Sequence, residues 1–166
     1  MLQSLFCLRI TQNIFDARRL LMQIKDIVKT KGSTVFSIHP EKTVKDAIDM
    51  LLEFNIGSLL VVEDAHPVGI FTERDSLRIC SEQAEQLQSI RIGEVMTSEL
   101  IIGRLEDDVA SVMHVMTEKR IRHLPIIEEG YVAGMVSIGD LVKSQHDENE
   151  LTIHYLKDYI TGNDMR

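Results

Sequence analysis

Apolar positions along the chain alternate between two rhythms. Val44, Ala47, Ile48, Leu51 and Leu52 fall at i, i+3, i+4, i+7 and i+8, which sets them on one face of a helix, with polar residues opposite. A short apolar strand at 35–38 precedes it, His39 and Pro40 break that strand, and Thr43 stands where a helix cap belongs. The run 59–62, Leu-Leu-Val-Val, has the length and branching of a buried strand. Residues 63–67 read as a turn, 68–71 as the returning hairpin strand, and 72–79 as a second helix.

The same order then repeats. Residues 100–102 read as a strand, Val109, Val112, Met113 and Met116 as a helix face, 124–127 as a strand, 128–130 as a turn, 132–136 as a strand, and a helix starts at Ser137. Residues 35–77 superpose on 100–142 at a constant offset of 65 with no gap, pairing Glu41 with Glu106, Val44 with Val109, Ile56 with Ile121, Leu59 with Leu124, Gly69 with Gly134 and Asp75 with Asp140. The expected fold is therefore α/β (α+β), two β-α-β-β-α repeats. A unit of about 45 residues buries too little apolar surface to be secure alone, so the two should share a core. The expected organisation is an extension at 1–21, repeat one with a lead-in helix at 22–80, a polar Gln-rich linker at 81–90, repeat two at 91–145, and a C-terminal helix and tail at 146–166. That last helix spans about 149–160 and ends before Gly162. Met113 and Met116 read as core filler.

Composition narrows the function. The 166 residues carry a net charge of -8, against a nucleic-acid partner, whose phosphates are held by a basic face. No apolar run approaches the roughly 20 residues of a membrane span. Cys7 and Cys80 have neither CxxC spacing nor a disulfide-rich setting, and the six histidines show no HxxxH or HExxH spacing, so no metal site is expected. Residues 1–21 are amphipathic, with Arg9, Arg18 and Arg19 against Asp16. They read as a docking helix, as an organelle transit peptide, or as an over-extended frame whose start is Met22. A cytoplasmic protein is expected, or an organelle-matrix one if the segment is a transit peptide.

The candidate chemistry lies in GIFTERD at 69–75 and GMVSIGD at 134–140, each a glycine, an apolar pair, a hydroxyl residue and then an aspartate three positions on. Thr72 and Ser137 stand where a strand gives way to a helix, so Ser/Thr-x-x-Asp reads first as a capping box. A helix start also offers free N–H groups and a positive dipole end to an anion, while a carboxylate can accept from the two hydroxyls of a ribose. Hydroxyl for phosphate and aspartate for ribose describe a nucleotide. Lys119, Arg120, Arg122 and His123, with Arg74, form a basic cluster able to neutralise phosphates, or else a solvated charged turn.

The gapless repeat together with GIFTERD, RIRHLPI at 120–126 and GMVSIGDLVK at 134–143 resembles a tandem pair of CBS domains, a Bateman module, over residues 24–162. The segments 22–32 and 150–162 resemble the ends of stand-alone CBS-pair proteins. The resemblance implies a pseudo-two-fold disc with two clefts for an adenosine ligand: AMP first, or ADP, ATP, NAD(H) or S-adenosylmethionine, with no metal required. By matching position, Thr72 and Ser137 would meet phosphate or ribose, Asp75 and Asp140 the ribose diol, and Arg122 and His123 the phosphates, with Arg74 beside them and Ser37 on the first strand. The repeat-one counterparts of Arg122 and His123 are Gly57 and Ser58, and Leu105, Asp108 and Ile102 replace Pro40, Thr43 and Ser37 in repeat two, so the clefts should differ. The function implied is a regulatory nucleotide sensor acting on a target protein. It is not an enzyme on this reading, since no nucleophile–base pair or P-loop stands out; the alternative is a ligand-free interaction module. A homodimer is expected through helix faces such as that of Val44 and through the helix at 151–160.

Overall fold

A computed structural model describes residues 22–161. The expectations for 1–21, and the cap at Gly162, lie outside the described residues. Helix α1 (Ile24–Lys31) leads into strand β1 (Ser37–Ile38), helix α2 (Val44–Glu53), the hairpin β2 (Ser58–Glu63) and β3 (His66–Thr72), and helix α3 (Glu73–Gln83). A short helix α4 (Ile92–Val95) then leads into α5 (Val109–Glu118), the hairpin β4 (His123–Glu128) and β5 (Tyr131–Ser137), and the long helix α6 (Ile138–Thr161).

The two hairpins are superposable in detail. Ser58 pairs with Thr72 and His123 with Ser137, and each ladder shifts register at the same place, between Val61 and Val62 and between Ile126 and Ile127. Each turn has two central residues at positive φ, Asp64 (48°) and Ala65 (66°) in the first, Glu129 (50°) and Gly130 (85°) in the second. That is the twist-matched geometry of a two-residue hairpin loop. Only Gly130 is free of the Cβ cost there.

The caps form as expected. Thr43 Oγ1 accepts from the Asp46 amide at 3.1 Å while Asp46 Oδ2 accepts from the Thr43 amide at 2.9 Å. In repeat two Asp108 caps α5 by accepting from the Ala110 and Ser111 amides at 3.3 and 2.8 Å. Hydrogen bonds from Thr43 hold the Asp46 carboxyl below the usual carboxylate range, and those from Ser111 and Ala110 do the same for Asp108 against the opposing pull of partial burial.

Three expectations are corrected. Residues 100–102 form no strand: only Gly103 bridges to Ile126, donating to Pro125 O at 2.9 Å and accepting from the Ile127 amide at 2.9 Å, so repeat two has two strands where repeat one has three. The helix from Ser137 and that at 149–160 are one continuous α6. Leu52, counted on the buried face of α2, is 74% exposed. The segment 81–90 between the repeats is tied to α2, for Leu87 O and Ile90 O accept from the Lys45 and Val44 amides at 2.9 and 3.0 Å, and its first residues continue α3.

The largest departure concerns the lead-ins. Helix α1 precedes repeat one but packs on repeat two: the Ile24 and Lys25 amides donate to Asp107 O and Leu105 O at 3.0 and 2.9 Å, and Val109 donates to Met22 O at 3.1 Å. The segment before repeat two does the same to repeat one, with Ile92 donating to Lys42 O, Gly93 to Pro40 O and Val44 to Ile90 O. Ile24 and Ile27 thus complete the core built on Val109, Met116, Leu124 and Val136, while Ile90 and Ile92 complete that of Val44, Leu59 and Phe71. Met116 is wholly buried, as core filler should be.

Two stability outcomes follow. Ile24→Ala should cost about 2–5 kcal/mol and unfold repeat two first, read by amide exchange at β4 and β5; preferential loss in β2 and β3 would contradict the exchange of lead-ins. Ala65→Gly should raise the melting temperature through a gain of about 0.5–1 kcal/mol, and Gly130→Ala should lower it.

Candidate functional site

Both hydroxyl–aspartate motifs lie at the seam between strand and helix, and both form complete capping boxes. Asp75 Oδ2 accepts from the Thr72 amide at 3.0 Å and from Thr72 Oγ1 at 2.7 Å, while Thr72 Oγ1 accepts from the Asp75 amide at 3.4 Å. Asp140 Oδ2 accepts from the Ser137 amide and from Ser137 Oγ, both at 2.7 Å. Backbone bonds tie each seam to its own strand start, Glu73 N to Gly57 O at 3.1 Å and Ile138 N to Arg122 O at 2.9 Å. In repeat one the capping uses a single carboxylate oxygen. Among the described residues, Oδ1 of Asp75 meets only the exposed Arg78 guanidinium, at 3.4 Å.

The repeats meet along β3 and β5, where the rings of His66 and Tyr131, the first residues of these strands, stack at 5.7 Å. Beside this seam opens a cleft of about 190 Å³ lined by Thr72, Glu73, Arg74 and Asp75 of repeat one, by Arg120, Ile121, Arg122 and His123 of repeat two, and by Gly57, Ile70 and Thr97. The basic cluster of the second repeat therefore serves the hydroxyl–aspartate motif of the first. Arg74 also crosses the seam, donating to Arg120 O at 3.5 Å. Three arginines face two carboxylates here, so the cleft is biased toward an anion despite the acidic chain.

His123 packs tightly at this junction. A Cβ at Gly57 would sit 2.9 Å from its ring, so glycine is needed there for the ring to fit. Burial pulls the His123 pKa below the usual imidazole value of 6.5, and the charge of Glu73 only partly offsets it. The ring is neutral at pH 7.

Of the eight candidate residues, Thr72, Arg74, Asp75, Arg122 and His123 share this cleft. Ser137 and Asp140 occupy the equivalent place in repeat two, where Asp140 is bound by Lys31 at 2.6 Å. Ser37 is not brought to either; it lines a separate depression with His39, Lys42 and Asp46. Sequence reasoning missed Thr97 and Lys31, because both lie in lead-in segments that the offset of 65 does not align. Thr97 forms a two-way backbone bridge with Ile70, each bond 3.0 Å. Among the described residues no group of three or more His, Cys, Asp or Glu is placed to hold a metal, and no helix is long and apolar enough to cross a membrane.

Two α/β units closed on one another, one β-α-β-β-α and the other without the first strand, each with a hydroxyl–aspartate seam, define a tandem-repeat module, and the comparisons give its family. The CBS domain family model matches residues 24–80 and 92–147, so the chain belongs to the CBS-domain family as a CBS pair. The mitochondrial CBS domain-containing protein CBSX3 of Arabidopsis thaliana is 36% identical over 148 residues, 84% of this chain and 72% of that protein. The crystal structure of the CBS-domain containing protein ATU1752 from Agrobacterium tumefaciens superposes with a TM-score of 0.72 at 31% identity, over 75% of this chain and 99% of that one. The CBS pair of protein MJ0100, crystallised with 5′-methylthioadenosine and S-adenosyl-L-methionine, shares the fold at a TM-score of 0.67 and 23% identity, over 77% of this chain and 98% of that one.

The state of His123 sets a pH dependence. Its folded pKa lies below its unfolded one, so the unfolded chain binds more protons in that window. The stability contributed is fully present above about pH 6.5 and is lost as pH falls toward and through the folded value. Melting temperatures between pH 7.5 and 5.5 should fall less steeply for His123→Gln than for the wild type. Equal slopes would show that the ring is not desolvated.

Proposed function

We propose that the chain is a regulatory sensor of adenosine nucleotides, with AMP as first candidate and ADP, ATP, NAD(H) and S-adenosylmethionine as the others, and that a target protein reads its state. The single observation carrying this reading is that one cleft joins Thr72 and Asp75 to Arg120, Arg122 and His123. The Asp75 oxygen not engaged in capping accepts from the ribose diol, and the arginines and the helix start take the phosphate. Neutral His123 gains a proton when the phosphate arrives, since an adjacent anion favours imidazolium. No metal ion is required.

At about 190 Å³ the cleft is smaller than the roughly 300 Å³ at which ligand pockets begin. A nucleotide bound there shifts the two repeats about this seam without separating them, and that shift is the signal: the ligand favours the shifted state by its differential affinity. The cleft offers no nucleophile–base pair, so binding without turnover is the expected outcome.

Association into a homodimer belongs to the same proposal, on altered grounds. The face of α2 bearing Val44 is buried in the core and not available. Leu77 and Val142, at equivalent positions on α3 and α6, are 73% and 55% exposed and supply the apolar surface instead. The compartment is cytoplasmic, or an organelle matrix, an alternative supported by a relative whose name calls it mitochondrial. A second reading, a ligand-free homodimeric module, is favoured by one fact: both capping boxes are complete without a ligand.

Calorimetry separates the two. Losing a hydrogen bond to a charged group costs about 1.5–3 kcal/mol, so Asp75→Ala should weaken AMP binding at least about tenfold, and 2′-deoxy-AMP should bind correspondingly worse than AMP to the wild type. Binding heats should vary with the ionisation enthalpy of the buffer, reporting the proton taken up by His123. If capping is the whole role, Asp75→Ala lowers stability by about 1 kcal/mol and leaves AMP affinity, measured well below melting, unchanged.

A further inference from the structure

The repeats are alike in backbone and unlike in what meets their third strand. In the first, α4 stops after one turn, and the chain continues extended so that the Thr97 amide covers the Ile70 carbonyl at 3.0 Å. In the second, α1 runs on through a second turn to Lys31. Met135, the counterpart of Ile70 at the offset of 65, has its carbonyl covered by the Lys31 ammonium at 3.2 Å. The same ammonium donates to Asp140 Oδ2 at 2.6 Å. Two acceptors hold one cation at the place where repeat one has only the backbone amide of Thr97.

The two carboxylates each receive three donors, differently placed: Asp75 meets the exposed Arg78 guanidinium at 3.4 Å on the oxygen not used in capping, whereas Asp140 holds Lys31 Nζ at 2.6 Å on Oδ2, the oxygen that also receives the Ser137 amide and Ser137 Oγ. Burial works to raise the Asp140 pKa, and the hydrogen bonds from Lys31 and Ser137 outweigh it and hold the carboxyl below the usual range. The surroundings differ too. Glu73, Arg74, Arg120, Arg122 and His123 of the first cleft correspond to Ile138, Gly139, Asn55, Gly57 and Ser58. The second seam thus lacks the arginines of the first; of the two lysines that line the pocket at Asp140, Lys31 and Lys143, Lys31 is paired with that carboxylate.

We propose that Lys31 is a built-in occupant of the second cleft, held on Asp140 and Met135 O where a ribose would bind, so that each chain binds one nucleotide, in the first cleft. This rests on the nucleotide-binding reading above. Lys31 is a specificity-determining residue on this account: with it removed, the second cleft accepts the nucleoside portion through Ser137 and Asp140 but gains nothing from the phosphate. The pair can open without unfolding, for the Lys31 and Asp140 side chains are 39% and 24% exposed.

Isothermal titration with AMP and with adenosine tests this on the wild type, Lys31→Met, and Lys31→Gln as a second, polar replacement. The wild type should give one site per chain that prefers AMP to adenosine by at least about tenfold. Lys31→Met should keep that site and add a weaker one at which AMP and adenosine bind within about threefold of each other. In an Asp75→Asn background, binding should be nearly lost with Lys31 present and return, without phosphate preference, when Lys31 is replaced. Two wild-type sites per chain would overturn the proposal and leave the nucleotide reading intact. So would a single site in both Lys31 variants, with nothing regained in the Asp75→Asn background. Absence of binding to the wild type and to both variants would overturn the two together.

Discussion

The exchange of lead-in segments is the constraint on which everything else here depends. Each repeat alone lacks one wall of its core, and that wall comes from the strand of chain that introduces the other repeat. Ile24 and Ile92, both fully buried, occupy equivalent places in opposite units. Neither unit can then leave the other without exposing apolar surface at about 25 cal/mol per Å². The backbone bonds accompanying the exchange also tie down the loops before α2 and α5. Smaller glycines complete the fit: a side chain at Gly69 would run into Met96, and one at Gly134 would press on Val28 at 3.2 Å.

The exchange also places the chemistry. Because the units are locked face to face, the corner that starts β4 is held against the seam that ends β3, and Arg120, Arg122 and His123 reach a motif 45 or more residues away in the chain. The capping box has two uses here. It holds the helix start and the Asp75 carboxylate rigid, which removes ordering cost from any ligand they bind, while engaging only one of the carboxylate oxygens.

The repeat, the hairpins, the capping residues and most members of the first cleft were legible in the chain, because each depends on local spacing: 3.6-residue periodicity for α2 and α5, apolar runs for β2 and β4, and Ser/Thr-x-x-Asp at the seams. What was not legible depends on long-range partners. Residues 100–102 read as a strand by their resemblance to 35–38, but Ile102 remains 51% exposed and only the following Gly103 pairs. The polar stretch 81–90 gave no hint that two of its carbonyls would finish α2. Leu52 lies about 100° round the helix from the buried Leu51, at the edge of the face that Val44, Ala47 and Leu51 bury, and so turns outward. The role of Lys31 was hidden for the same reason as the exchange: a lead-in helix is expected to pack on the unit it introduces.

Asymmetry follows from a difference of one helical turn. With the backbone bonds of the lead-ins superposable, the chain after Ile92 bends away early and presents an amide to β3, whereas α1 continues and presents an ammonium to β5. The amide bridge makes no bond to Asp75, which meets the exposed Arg78 instead; the ammonium binds Asp140 directly. Duplicated halves need no change in fold to acquire distinct tasks. One cleft keeps its aspartate and gathers the cations of both units, and is thereby suited to respond to a charged ligand. The other pairs its aspartate with a lysine and has no arginine at the matching positions.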